Sequence, residues 1–169
     1  MKIIEGMKKI KINEKRITRN CDQITRYSSL LDTEKPFFDS EDVQKKEVKS
    51  LVQSSKDLIN ECIKLKQRIE KTNLETVIEF NGEQFAISAL LMLKRKYGAL
   101  LINIFNSLND GEARKRFRGL AAQPNEKRPT IIRLFREEDK NKELQNIYDL
   151  LDNITSRLEV INATTELLD

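Results

Sequence analysis

The sequence predicts a mainly α-helical fold: a long antiparallel helical hairpin, two further helices, and a small β-hairpin that a third strand extends into a sheet. Three observations carry this expectation. The 169 residues include only five glycines and three prolines, the residues that most often end helices. Ile3, Ile10, Ile17, Ile24 and Leu31 recur at heptad spacing, which keeps one apolar stripe facing a partner helix. Asn81-Gly82 stands between two short β-prone runs, and both central positions of a type I′ turn need positive φ.

The first helix is expected over residues 1–31, with Met7 and Cys21 in the second row of the seam and Glu14 and Ser28 interrupting it. Residues 32–40 read as a turn: Pro36 disfavours helix at Lys35, and Asp39 or Ser40 caps the second helix. That helix, over residues 41–72, repeats the three-four spacing in Val48, Leu51, Leu58, Cys62, Leu65 and Ile69, widened by Val52, Ile59 and Ile63. Two seams of matching length joined by a short turn imply an antiparallel hairpin. Pairing outward from the turn sets Cys21 opposite about Leu51. The Cys21 and Cys62 sulfurs then stand more than ~10 Å apart, beyond disulfide reach, and both cysteines read as small seam residues.

Residues 76–87 form the β-hairpin, after which Ser88 reads as an N-cap with Ile87 as a hydrophobic staple. The third helix, residues 89–108, is the most apolar element and is expected at the centre of the core; Asn109-Asp110-Gly111 ends it. A loop-like basic stretch runs from there to Arg128, then residues 129–135 as a third strand joining the hairpin. The last helix, residues 138–168, buries Leu144, Ile147, Leu151, Ile154, Leu158 and Ile161. The organisation is a helical hairpin over residues 1–73, with residues 74–169 packed on it as one unit.

Composition narrows the function. The chain has no histidine, which removes the commonest general acid/base near neutral pH and every Ser-His or Cys-His nucleophile system. Two cysteines supply neither a zinc cage nor a disulfide scaffold. Catalysis on carboxylates, lysine or a carboxylate-bound magnesium is left open by composition, but none of the signatures for it is present; no catalytic residues, cofactor or metal are expected, and the protein reads as a binding or assembly protein, not an enzyme. Charged residues come directly after Met1, and no apolar run approaches the ~18 residues of a membrane span. A soluble, cytoplasmic protein with no membrane partner is expected.

Charge is unevenly placed. Residues 111–136 carry eight basic and two acidic groups, a balance of +6, and residues 137–169 carry three basic and nine acidic groups, a balance of −6. Arg114, Lys115, Arg116, Arg118, Lys127, Arg128, Arg133 and Arg136 supply the positive field, and Phe117 sits among them. Six of these eight cations are arginine, whose planar fork matches phosphate oxygens in two-point hydrogen bonds; Phe117 offers a ring on which a base stacks. These nine residues are the candidate ligand-binding set. The same composition also fits a structural role, in which the basic segment pairs with the acidic final helix. Glu137-Glu138-Asp139 resembles a metal cluster in composition, but three acids at a helix start complement its dipole. Arg68, Glu70 and Asn73, and likewise Arg157, Glu159 and Asn162, share single helical turns and read as interhelical polar contacts or pocket walls.

The opening Met1 to Lys11, the middle Leu65-Lys-Gln-Arg-Ile-Glu-Lys-Thr-Asn73 and the closing Ser156 to Leu168, with its Asn-Ala-Thr-Thr, resemble a family of small bacterial proteins of unknown function sometimes labelled "septicolysin". The resemblance touches both ends and the centre and is least in the basic segment 114–128. It implies a helical N-terminal half, a short β segment after Arg-x-x-x-Thr-Asn, a long final helix, and a bacterial or phage source; it implies no catalytic residues. The family label suggests a pore-forming toxin, for which this sequence has neither long amphipathic strands nor an export signal. The function expected is that of a non-catalytic homo-oligomer that binds or sequesters a nucleotide-type small ligand, as a sensor or a phage-encoded sponge would. Nucleic-acid binding and a coiled-coil scaffold without ligand are the alternatives.

Overall fold

The computed structural model describes residues 1–119 and 129–169. The fold is mainly α-helical with a minor β part, as the sequence predicts. In order, the elements are α1 (Ile3–Tyr27), α2 (Glu41–Glu75), β1 (Val77–Phe80), β2 (Glu83–Ala86), α3 (Ile87–Met92), a π-helical turn (Leu93–Tyr97), α4 (Gly98–Asn106), α5 (Gly111–Gly119) and α6 (Glu137–Thr164). They group into two compact units, one of Met1–Ile87 with Glu159–Asp169, the other of Ser88–Leu158. The β-hairpin and the C-terminal residues thus fall with the helical hairpin, a different division from a cut after residue 73.

In the first unit α1 and α2 form the antiparallel hairpin. The seam of α1 consists of Ile3, Gly6, Ile10 and Asn13, all buried, continued by half-buried Ile17, Asn20, Ile24 and Tyr27. Its second row is therefore Gly6, Asn13, Asn20 and Tyr27. Met7 and Cys21, expected there, are exposed. The heptad permits either neighbour row, and cross-seam hydrogen bonds select the polar one. Asn13 Nδ2 donates to Glu61 at 2.7 Å, Asn20 Nδ2 to Ser55 Oγ at 3.2 Å, and Gln44 Nε2 to the Tyr27 carbonyl at 2.8 Å. Polar seam residues that satisfy one another fix the register, because any slip leaves them unpaired in a desolvated stripe. On α2 the seam includes buried Cys62, Leu65 and Thr72 and half-buried Val48, Leu51, Leu58 and Ile69, while Val52, Ile59 and Ile63 stay exposed.

The hairpin is closed at both ends. At the turn, Ser40 Oγ accepts from the Val43 N–H and caps α2, as expected. Tyr27 packs its ring against Phe37 and Phe38, with centroids at 5.4 and 5.0 Å. At the open end the C-terminal residues bind back: Thr72, fully buried, accepts from the Leu168 N–H at 2.9 Å and donates to the Arg68 carbonyl at 2.7 Å. Arg68 donates to the Leu168 carbonyl at 3.0 Å, and the Met1 carbonyl accepts from the Leu167 N–H. Gly6 leaves room for this: a Cβ there would lie 3.0 Å from a Leu167 methyl.

β1 and β2 pair in the register Phe80↔Glu83, with Asn81 at φ 52° and Gly82 at φ 82°, the two positive angles the turn requires. Two expectations need correction. Residues 129–135 are not a strand, and among the described residues the sheet has two strands only. Helix α3 starts at Ile87, so Ser88 lies inside its first turn and does not cap it.

In the second unit the apolar helical run covers residues 88–106 and is interrupted by the π-helical turn, where the Gly98 N–H bonds to the Leu93 carbonyl. α4 packs on α6 at Gly98, against which Leu151 lies. On α6, Ile147, Ile154 and Leu158 are buried and Leu144 and Leu151 half-buried, on the stripe the spacing predicts. α4 is not the central core helix expected: only Gly98 is buried, and Leu100 and Ile104 are exposed. It is apolar on two faces, and on one of them Leu100 and Ile104 are 47% and 61% exposed.

Candidate anion-binding site on α5

The basic segment is partly helical. Residues 111–119, expected as loop, form α5 because Glu112-Ala-Arg-Lys-Arg are strong helix formers behind a capping turn. Asn109 Oδ1 accepts from the Gly111 N–H at 2.9 Å, and the Asp110 carbonyl accepts from the Arg114 N–H. The helix redistributes the cations. At about 100° per residue, Arg114, Lys115 and Arg118 share one side, Arg116 faces away, and Phe117 lies about 100° from both Arg116 and Arg118.

Asp110 organises this corner, a role that sequence reasoning missed. Its carboxylate takes Arg114 at 2.8 and 3.1 Å and Arg133 at 3.1 Å, and its side chain is only 17% exposed. Hydrogen bonding from Arg114, and then from Arg133, holds the Asp110 carboxyl below its ordinary value, and Arg114 is held above its own. The signal available was the Asp-to-Arg spacing of four residues on a helix start; nothing in the sequence announces the third member, Arg133.

The remaining candidates divide. Lys115 pairs with Glu112 at 2.6 Å, and Arg136 reaches Glu138 and Asp139 at 3.4 and 3.7 Å. Lys140 Nζ donates to the Leu108 carbonyl at 3.0 Å and lies over the Phe135 ring. Arg116, Phe117 and Arg118 are exposed, and no ion pair among the described residues includes either arginine. Lys127 and Arg128 lie outside the described residues. The structure therefore joins Arg114 with Arg133, sets Arg136 apart at the start of α6, and leaves Arg116, Phe117 and Arg118 presented to solvent.

Elsewhere, Cys62 is buried with its Sγ 4.0 Å from the Ile10 carbonyl, and Cys21 is exposed; both are free thiols. Arg68 serves the C-terminal carbonyls, while Glu159 and Asn162 line a shallow groove with Ile4, Met7, Lys8 and Lys11. Among the described residues no cluster of three Cys, Asp or Glu side chains is placed to hold a metal ion, and no helix is long and apolar enough to cross a membrane. No family model, curated protein or solved structure matches the chain.

Proposed function

We propose that the protein is a non-catalytic, oligomeric binding protein that holds a phosphate-bearing, nucleotide-type small ligand on α5. The observation that carries this reading is the exposure of Phe117 between two arginines, Arg116 and Arg118, that take no part in ion pairs among the described residues. A guanidinium on either side of an aromatic ring suits a base stacked on the ring with its phosphates held by charge-assisted bonds. Asp110 supports the arrangement by tying the start of α5 to Arg133.

Thermal shift against a panel of mono-, di- and cyclic nucleotides tests the reading. At least one nucleotide at ~100 times its Kd is expected to add about 2.7 kcal/mol of stability. Arg116→Glu together with Arg118→Glu removes that shift. No response to any nucleotide, or an unchanged response in the double variant, sinks the reading.

A scaffold without a small ligand is the second reading. Its specific support is that Arg114, Lys115, Arg133 and Arg136 already spend their charge on Asp110, Glu112, Glu138 and Asp139. A nucleic-acid partner is separated from both by salt: log Kobs falls by about 0.9 per neutralised phosphate for each decade of salt.

A further inference from the structure

Asp110 engages one edge of each of two guanidiniums and leaves another open. Arg114 donates to it through Nε at 2.8 Å and Nη2 at 3.1 Å, and Arg133 through Nε and Nη2, both at 3.1 Å. A guanidinium carries five N–H groups in a rigid fork, so three remain on the Nη1–Nη2 edge of each arginine. Among the described residues, Nη1 of neither arginine donates a hydrogen bond. Both Nη2 atoms lie 3.1 Å from the same oxygen, Asp110 Oδ2, and so stand no further apart than twice that distance. Phosphoryl oxygens accept charge-assisted N–H bonds at about 2.7–2.9 Å, and one phosphoryl group bridges such a gap with two of its oxygens. Two guanidiniums against one carboxylate leave a positive charge at the corner.

The protein itself fixes both forks. Arg133 stands in a stretch, residues 129–135, that joins no backbone–backbone hydrogen bond among the described residues. Its bonds to Asp110 are what tie its guanidinium to α5. Asp110, with its side chain only 17% exposed, is held in turn at the start of α5, where its carbonyl accepts from the Arg114 N–H. A fork already oriented loses less rotamer freedom when it binds. The helix adds to the field, because its N-terminal end carries the positive end of the dipole.

The corner also has a direction. Phe117 is seven residues beyond Asp110 and three beyond Arg114, spacings that fall on one side of a helix, with Arg118 beside them. At 1.5 Å per residue, Asp110 and Phe117 are about 10 Å apart along the axis. From a base stacked on Phe117, that is further than the phosphate of a nucleoside monophosphate reaches, and within reach of a second phosphate.

We infer that Asp110 positions Arg114 and Arg133 as a clamp for the β-phosphate of a nucleoside diphosphate or triphosphate whose base stacks on Phe117. This rests on the proposed function and narrows its ligand to nucleotides with two or more phosphates in a row.

Isothermal titration of the full chain with the mono- and diphosphates of adenosine, guanosine, cytidine and uridine, at fixed ionic strength, tests it. At least one diphosphate is expected to bind ~10-fold or more tightly than its monophosphate, because hydrogen bonds between charged groups are the strong ones. Arg133→Gln, in a stretch without backbone bonds, brings that ratio to about 2 or below and leaves monophosphate affinity within about twofold. Asp110→Asn separates positioning from neutralisation. It loosens both forks and lowers the ratio even though it makes the corner more positive. Were Asp110 only a neutralising partner, its replacement would tighten every phosphate. Three results overturn the clamp while nucleotide binding itself stands: equal affinity for mono- and diphosphates, an unchanged ratio in Arg133→Gln, or a diphosphate held more tightly by Asp110→Asn. Binding of no nucleotide at all overturns the clamp and the proposed function together.

Discussion

Gly98→Ala sets two opposed effects against each other. Inside a helix, alanine in place of glycine ordinarily gains about 1 kcal/mol of stability. At this position the added Cβ would stand 2.6 and 2.9 Å from the two methyls of Leu151 and 3.1 Å from the Leu93 carbonyl oxygen. Carbon atoms settle at about 3.5–4.0 Å, so Leu151 has to withdraw by roughly 1 Å. The carbonyl is backbone of the π-helical turn and holds the Gly98 N–H, so it yields least. Overpacking of this kind costs about 1–3 kcal/mol. The balance is a net loss of about 1 kcal/mol, or a melting temperature lower by about 2–4 °C in a chain of this size.

Thermal and urea unfolding monitored by circular dichroism measure it, and a double-mutant cycle assigns the cause. In a Leu151→Ala background the methyls are gone, and Gly98→Ala there stabilises by up to about 1 kcal/mol, a coupling of about 2 kcal/mol. The reasoning is refuted if Gly98→Ala stabilises the otherwise unchanged chain, or if its effect is the same in both backgrounds.

Three further outcomes rest on the same geometry. Thr72→Val keeps the shape but leaves the Leu168 N–H without its acceptor, so stability falls by about 1–3 kcal/mol; an unchanged urea midpoint would show that the C-terminal residues are not held as described. Asn13→Ala strips Glu61 of a 2.7 Å hydrogen bond inside the seam and is expected to cost about 1–2 kcal/mol, whereas Asn60→Ala, exposed on the back of α2, changes the midpoint little. Glu61, Asp110 and Glu166 are each held below the ordinary carboxylate value, chiefly by hydrogen bonds from Lys9, from Arg114 and from the N-terminal ammonium respectively. Lowered carboxyls contribute stability that is fully present above their unfolded values of about 4 and is lost as pH falls through the folded values. Unfolding midpoints should therefore drop below pH ~4, less steeply in Glu61→Gln; an equal slope in that variant would remove Glu61 from the account.

Local pattern was enough for α1, α2 and α6, for the turn between the first two and for the β-hairpin. Heptad spacing, Ser40 at a helix start and Asn81-Gly82 between β-prone runs each constrain only their own neighbourhood, and each forms where the pattern places it. The same pattern did not choose between the two rows beside Ile3 and Ile10, because hydrophobicity alone favours Met7 and Cys21 over Gly6 and Asn20. That choice was made across the hairpin, by Glu61 and Ser55 meeting the asparagines and by Leu167 needing the space over Gly6. At the candidate site, the density of arginine and the absence of histidine chemistry are properties of the chain alone. Which cations are engaged was settled in three dimensions. Asp110 gathers Arg114 with the distant Arg133, and a helix in place of a loop turns Arg116 away from Arg118. Apolar content likewise predicted burial for α4, but burial requires a neighbour: with α6 on one face, Leu100 and Ile104 are left outside.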